Sequence, residues 1–198
     1  MTLRVGINGF GRIGRNVLRA FEESPRSDIE IVAVNDLADI QTAAFLLEYD
    51  SVHGRLKSPV TVDGDVIRTN NCEVGYSSER DPSALPWAKL GVDVVFECTG
   101  IFTAADKAAM HIEAGAKKVL VSAPSKGADI TIVYGVNHTA LRPEHRIISN
   151  ASCTTNCLAP IAHVLHQTCG IGQGFMTTIH SYTGDQLLLD GEHKDRYR

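Results

Sequence analysis

Apolar and polar positions alternate between two periods along this chain. Leu3 to Asn8 is an apolar run, and Val17, Leu18 and Phe21 recur at helical spacing just after it, which predicts a strand, a tight turn and a helix. Ile29 to Asn35 is a second strand, and residues 39–49 read as an amphipathic helix. Val60–Val62 and Val66–Arg68 flank Asp63-Gly64, a hairpin turn, and Pro59 suits a strand start or an edge. Val92 to Gly100 is a near-continuous apolar run, the signature of a buried parallel strand. Thr103-x-x-Asp106 has the form of a capping box opening a helix that Gly115 stops. Lys118–Ser122, Thr131–Val136 and Arg146–Ser149 supply further strands. Strands alternating with helices predict a doubly wound α/β domain over residues 1–150.

Past residue 150 the pattern changes. Ser149-Asn150-Ala151-Ser152-Cys153-Thr154-Thr155-Asn156-Cys157 leads into Leu158, Ile161, Val164 and Leu165 at helical spacing, with Gly170 as the C-cap. Pro160 inside this helix should kink it or leave a carbonyl unpaired. Ser152 reads as the N-cap, which puts Cys153 in the first turn. There the amide groups lack intrahelical partners and the helix dipole is positive, so a thiolate is stabilised and the Cys153 pKa should fall. Cys157, one turn deeper, is expected to be buried and inert. The β-branched segment Met176-Thr177-Thr178-Ile179 predicts a strand ending on His180, a candidate acid/base partner for Cys153. A Cys-x3-Cys pair lacks zinc spacing, so no metal is expected.

The turn after the first strand carries its own chemistry. Gly9-x-Gly11-x-x-Gly14 supplies a tight turn, a backbone that can approach a pyrophosphate, and close helix–strand packing. Asp36 closes the second strand 22 residues after Gly14, near the interval of an acid that binds a ribose. Its charge repels a 2′-phosphate and Leu37 offers no cation, which favours NAD over NADP. Thr99 and Gly100 end a parallel strand, where ligands of such sheets bind.

Composition narrows the setting. A net charge of −4 gives no electrostatic case for nucleic acid or an anionic membrane surface. No apolar run has transmembrane length, and Met1-Thr2-Leu3-Arg4 leads into a strand without a signal peptide, so no membrane association is expected. Five Cys, an odd number without framework spacing, suggest a reducing, cytoplasmic setting.

The nine-residue cysteine segment resembles the active-site signature of the phosphorylating glyceraldehyde-3-phosphate dehydrogenases. Val5-Gly6-Ile7-Asn8-Gly9-Phe10-Gly11-Arg12-Ile13-Gly14-Arg15 resembles the N-terminus of the same family, and the likeness runs from Leu3 to Arg198. The resemblance implies a Rossmann-type NAD domain over 1–150 and, over 151–198, the beginning of an α+β catalytic domain that stops within the S-loop. It implies Cys153 and His180 as catalytic residues. Cofactor contacts are implied at Asn8, Gly9, Gly11, Arg12, Ile13, Gly14, Asp36, Arg80, Thr99, Gly100 and Ser122. Phosphate contacts are implied at Ser152, Cys153, Thr154, Thr183 and Arg198. It further implies a homotetramer that oxidises glyceraldehyde 3-phosphate with NAD and inorganic phosphate to 1,3-bisphosphoglycerate, a glycolytic step. Two departures fall late: Gly184 where relatives often carry Asn, and Gly191-Glu192 where NAD-specific members carry Leu-Pro. Competing readings are a related sugar-phosphate dehydrogenase, such as one acting on erythrose 4-phosphate, and a non-catalytic nucleotide-binding fragment. Gly100-Ile101-Phe102-Thr103 and Ser122-Ala123-Pro124-Ser125 look more like the first assignment, and the Cys153/His180 pair argues against the last.

Overall fold

The structure, a computed structural model, describes residues 2–183. Strand β1 (Leu3–Asn8) runs into α1 (Arg12–Glu23), β2 (Ile29–Asn35) and α2 (Ile40–Glu48). Asp39 caps α2 by accepting from the amides of Gln41 and Thr42. Two short strands, β3 (Tyr49–Asp50) and β4 (Gly54–Arg55), pair with each other. The meander β5 (Thr61–Asp63), β6 (Val66–Arg68), β7 (Glu73–Ser77) includes the expected Asp63-Gly64 hairpin. It is followed by α3 (Trp87–Leu90), β8 (Val94–Glu97), α4 (Ala105–Ala108), α5 (Met110–Glu113), β9 (Lys118–Val121), β10 (Ile130–Thr131), β11 (Ile147–Ser149) and α6 (Cys153–Cys169).

The main sheet has the order β10-β11-β9-β8-β1-β2-β7-β6-β5. It is parallel from β10 to β7 and antiparallel at the β5–β6–β7 edge. From β1 the chain first winds outward through β2, then returns to place β8 on the other flank of β1. The crevice outside the carboxyl ends of β1 and β8 is therefore a topological switch point, where open α/β sheets bind ligands. Val5, Ile7, Leu18, Val34, Leu47, Ile67 and Val74 are fully enclosed in the core that α1, α2 and the sheet share. Each such side chain contributes about 1.5–3 kcal/mol of burial. The buried Glu22 carboxylate accepts from Thr69 Oγ1 at 2.6 Å and the Asn71 amide at 3.0 Å, tying α1 to the loop after β6.

Three expectations differ from what is observed. The strand expected over 131–136 is only Ile130–Thr131, because Gly135 takes φ +83° and Asn137 Oδ1 accepts the Val133 amide, bending the chain into a turn. The helix after Thr103 starts one residue late, with Ala104 as an N-cap that makes no side-chain bond, so the capping box does not form. Met176–His180 forms no strand among the described residues, and Phe175 and Ile179 lie fully exposed. β-branching favours extended backbone, but a strand also needs a partner ladder. Pro160 keeps to one of the two outcomes expected of it: α6 runs through it as one element, and the Asn156 carbonyl loses the bond that proline cannot donate. No helix among the described residues is long and apolar enough to cross a membrane.

Candidate active site

The switch-point crevice has a volume of about 350 Å³ and is lined by Asn8, Gly9, Gly11, Asp36, Arg80 and Thr99, among others. Two glycines shape its turn. Gly9 takes φ +91°, and a Cβ there would lie 2.6 Å from the Thr99 amide nitrogen. A Cβ on Gly14 would lie 2.1 Å from the Gly9 carbonyl oxygen, so only glycine lets α1 start this close to β1. At Gly11, by contrast, a Cβ would meet no atom within 4 Å. The backbone there faces open crevice, the cradle that a pyrophosphate needs at a helix N-terminus.

Asp36 is doubly anchored. Its carboxylate accepts the Phe10 amide at 2.6 Å and the Ala38 amide at 3.0 Å. The first of these bonds joins the end of β2 to the glycine turn, a link that spacing alone did not reveal. A carboxylate has about four acceptor sites, so two backbone amides leave capacity for ribose hydroxyls in the crevice. Arg12 and Ile13 open α1 with exposed side chains. The Arg12 guanidinium pairs with Asp50 at 3.1 Å, away from the crevice lining. The Asp50 carboxyl is held below the ordinary aspartate range by the amides of His53 and Val52, with Arg12 adding to them. Gly100 follows the crevice at φ +74°, while the Ser122 amide donates to the Glu97 carbonyl at 3.0 Å. Neither Gly100 nor Ser122 is part of the crevice lining.

The thiol site is built at the start of α6. Ser152 Oγ accepts the Thr155 amide at 3.0 Å and so caps the helix, as the sequence suggested. Ala151 is held at φ +58°, an uncommon conformation for a residue with a side chain, and its amide donates to Ser149 Oγ at 3.1 Å. That turn swings the chain from β11 into α6 and sets Cys153 in the first helical turn. Cys153 Sγ lies 3.2 Å from His180 Nε2. The other ring nitrogen, Nδ1, faces the Ser181 carbonyl, which can only accept. In the neutral ring, therefore, Nδ1 carries the hydrogen and Nε2 presents its lone pair to the thiol. Once Nε2 has taken the thiol proton, the imidazolium donates back to the thiolate, and this bond is the main influence that lowers the Cys153 thiol below its ordinary range, opposed by partial desolvation and helped by Thr154.

Burial has the reverse effect on two other thiols, pushing Cys72 up to about 11 and Cys98 up to about 12. Cys157 was expected inside but is exposed, because α6 buries none of its side chains among the described residues. Thr154 Oγ1 is 4.0 Å from Cys153 Sγ, and Thr183 is an exposed residue three positions after His180. Arg198, Gly184 and Gly191-Glu192 lie outside the described residues. Among the described residues, no group of three His, Cys, Asp or Glu side chains could hold a metal ion.

One buried cluster gave no signal in the sequence. Glu97, at the end of β8, and His111, in α5, are enclosed and 2.9 Å apart. Burial pushes the Glu97 carboxyl up, but the bonds from His111, Thr99 and Asn8 outweigh it and hold the pKa below the ordinary glutamate value.

A sheet that reverses its winding beside a glycine turn places the chain among the dinucleotide-binding α/β proteins. Residues 3–105 match the family model described as glyceraldehyde 3-phosphate dehydrogenase, NAD binding domain, and residues 152–198 match the C-terminal domain of the same family. The chain belongs to the glyceraldehyde-3-phosphate dehydrogenase family. It is 61% identical over 198 residues to the glyceraldehyde-3-phosphate dehydrogenase of Xanthobacter flavus, covering all of this chain and 59% of that one. It is 59% identical over 199 residues to that of Geobacillus stearothermophilus, covering all of this chain and again 59% of the relative. For the Pseudomonas aeruginosa protein the identity is 57% over 199 residues, with all of this chain and 60% of the relative covered. The chain thus spans about three-fifths of the length of these curated relatives.

Proposed function

We propose that the whole protein oxidises glyceraldehyde 3-phosphate to 1,3-bisphosphoglycerate in the presence of inorganic phosphate. The approach of Cys153 Sγ to His180 Nε2, 3.2 Å, carries this reading. With the thiol proton held on His180 Nε2, the thiolate attacks the aldehyde carbon and that proton passes to the carbonyl oxygen, so a thiohemiacetal forms on Cys153 and Nε2 is free to act as base. The Cys153 amide, in the first turn and without an intrahelical acceptor, steadies the developing oxyanion. His180 Nε2 takes the hydroxyl proton as the thiohemiacetal gives up its hydride. Bound NAD would supply the hydride acceptor, and the crevice residues Gly9, Gly11, Asp36, Arg80 and Thr99 would hold it, with Arg12, Ile13, Gly14, Gly100 and Ser122 beside them. A thioester remains, and inorganic phosphate displaces Cys153 to release an acyl phosphate. Ser152, Thr154, Thr183 and Arg198 are assigned to the phosphate groups on the family resemblance. The boundary near residue 150, a homotetrameric assembly and a cytoplasmic location are proposed on the same ground.

The test is NADH formation by the whole protein with glyceraldehyde 3-phosphate, with and without inorganic phosphate, beside erythrose 4-phosphate. The proposal expects phosphate-dependent turnover that is faster with the triose phosphate. Faster turnover of the tetrose would transfer the assignment to the erythrose-4-phosphate reading, and no turnover with either would overturn the dehydrogenase.

Asp36→Ala should weaken NAD binding by about 1.5–3 kcal/mol, the worth of a charge-assisted hydrogen bond, and narrow the gap to NADP. Calorimetry with both dinucleotides decides this. Equal affinity of the wild type for the two would remove the selective role from Asp36.

A further inference from the structure

Behind the crevice a branched network of hydrogen bonds links six elements, α3, α5, β8, β1, β2 and β7. Trp87 Nε1 donates to His111 Nδ1 at 3.0 Å. An indole N–H can only donate, so Nδ1 bears the lone pair and the neutral ring keeps its hydrogen on Nε2. That hydrogen points at Glu97 Oε2, 2.9 Å away. The same oxygen accepts Asn8 Nδ2 at 2.7 Å. Oε1 accepts the Thr99 amide at 2.8 Å and also the Thr99 hydroxyl. Four donors thus converge on one carboxylate that is 1% exposed. Beyond it, Asn8 Oδ1 accepts Asn35 Nδ2 at 2.8 Å, and Asn35 Oδ1 accepts the Glu79 amide at 2.8 Å and Ser77 Oγ at 2.9 Å.

The direction of each bond to Glu97, and of the bond from Trp87, is fixed by chemistry, since a carboxylate only accepts and an indole N–H only donates. Trp87 sets the His111 tautomer, His111 and Asn8 offer hydrogens to Glu97, and the Asn8 oxygen is left to Asn35. Asn8, Asn35, Glu79 and Thr99 all line the crevice, while Glu97, His111 and Trp87 do not. The side-chain polar atoms of Asn8 face inward to Glu97 and Asn35, so Asn8 shapes the crevice from within. Thr99 Oγ1, with its hydrogen given to Glu97, accepts the Ile101 amide at 3.0 Å and closes the turn over the opening.

We propose that Glu97, backed by His111 and Trp87, is a positioning residue for the dinucleotide: it holds Asn8 and the 99–101 turn in the arrangement that receives the ligand. The inference rests on the nucleotide reading of the crevice. A carboxylate is required at this place. A Gln amide would turn an NH2 group toward one of the two donor pairs, and His111 cannot switch tautomer to relieve it without setting an N–H against Trp87. Such a misfit opens the 99–101 turn or displaces Asn8, so the site is no longer preorganised.

The experiment is calorimetric titration of NAD into the whole protein and its Glu97→Gln variant, with KM for NAD and kcat measured alongside. The affinity should fall about ten-fold or more, as expected when a charged partner of buried donors is lost. KM for NAD should rise by a like factor, while kcat at saturating NAD falls far less. A folded Glu97→Gln protein that binds NAD as tightly as the wild type overturns the proposal, even if it melts earlier, because the network then serves stability alone. Should that variant fail to fold, Trp87→Phe removes only the outermost N–H and must still weaken NAD binding by about two-fold or more. An unchanged affinity there overturns the proposal equally. A wild type that binds no NAD would refute the nucleotide reading itself, a result distinct from tight binding by both proteins.

Discussion

On the proposed function, His180→Asn in the whole protein is expected to lower the rate of aldehyde oxidation by about 10²–10⁴-fold, the usual contribution of a positioned general base. Asn can still donate to the Ser181 carbonyl that His180 faces, so the backbone there keeps a polar contact. What is lost is the ring nitrogen 3.2 Å from Cys153 Sγ that takes the thiol proton and then pairs with the thiolate. Two effects should therefore appear together: slow turnover, and a Cys153 thiol whose pKa moves back upward. The helix terminus retains part of the depression. NAD affinity should hardly change, since Asp36 and the glycine turn are untouched. Turnover with triose and tetrose phosphates should fall by similar factors, because the thiohemiacetal is common to both. Near-normal steady-state turnover would mean that another base must be sought.

Gly14→Ala should cost about 3 kcal/mol or more of stability and abolish NAD binding. The added Cβ would stand 2.1 Å from the Gly9 carbonyl oxygen, and a backbone atom cannot rotate aside. Helix α1 has to lift from β1, which breaks the core contact of Leu18 and the anion cradle together. Gly11→Ala is the control. Its Cβ meets nothing within 4 Å, so stability should stay within about 1 kcal/mol of wild type while NAD binding falls, the methyl group now standing in the crevice. Urea unfolding and calorimetry on the two variants separate the cases. A Gly14→Ala protein with wild-type midpoint and affinity would contradict the packing account.

The sequence made the local features legible and left the assembled ones hidden. Gly9, Gly11, Gly14 and Asp36 lie within one strand–helix–strand unit, where spacing by itself specifies geometry. Ser152 as N-cap and Cys153 in the first turn follow from neighbouring residues in the same way. The Glu97 cluster could not be read so, because its members are 89 residues apart at Asn8 and Glu97 and meet only when β8 pairs with β1. His111 was masked by its Ala-rich helix, where a lone histidine carries no periodic signal. Met176–His180 shows the opposite error. Its β-branched residues announce extended backbone, but no local pattern says whether a neighbouring strand stands beside it. Cys157 was placed inside because helix periodicity gives the face of a side chain and not what covers that face.

The central claim is that Cys153 is an activated thiol made by a helix terminus and His180. The most direct measurement is the rate of iodoacetamide alkylation at each cysteine as a function of pH, read by peptide mapping of the whole protein without NAD. Cys153 should react first near neutral pH. The midpoint of its curve should lie clearly below the ~8.5 of a free cysteine, and His180→Asn should move that midpoint upward. A Cys153 curve centred at about 8.5 or higher, shared with Cys157 and unmoved by the substitution, would contradict it.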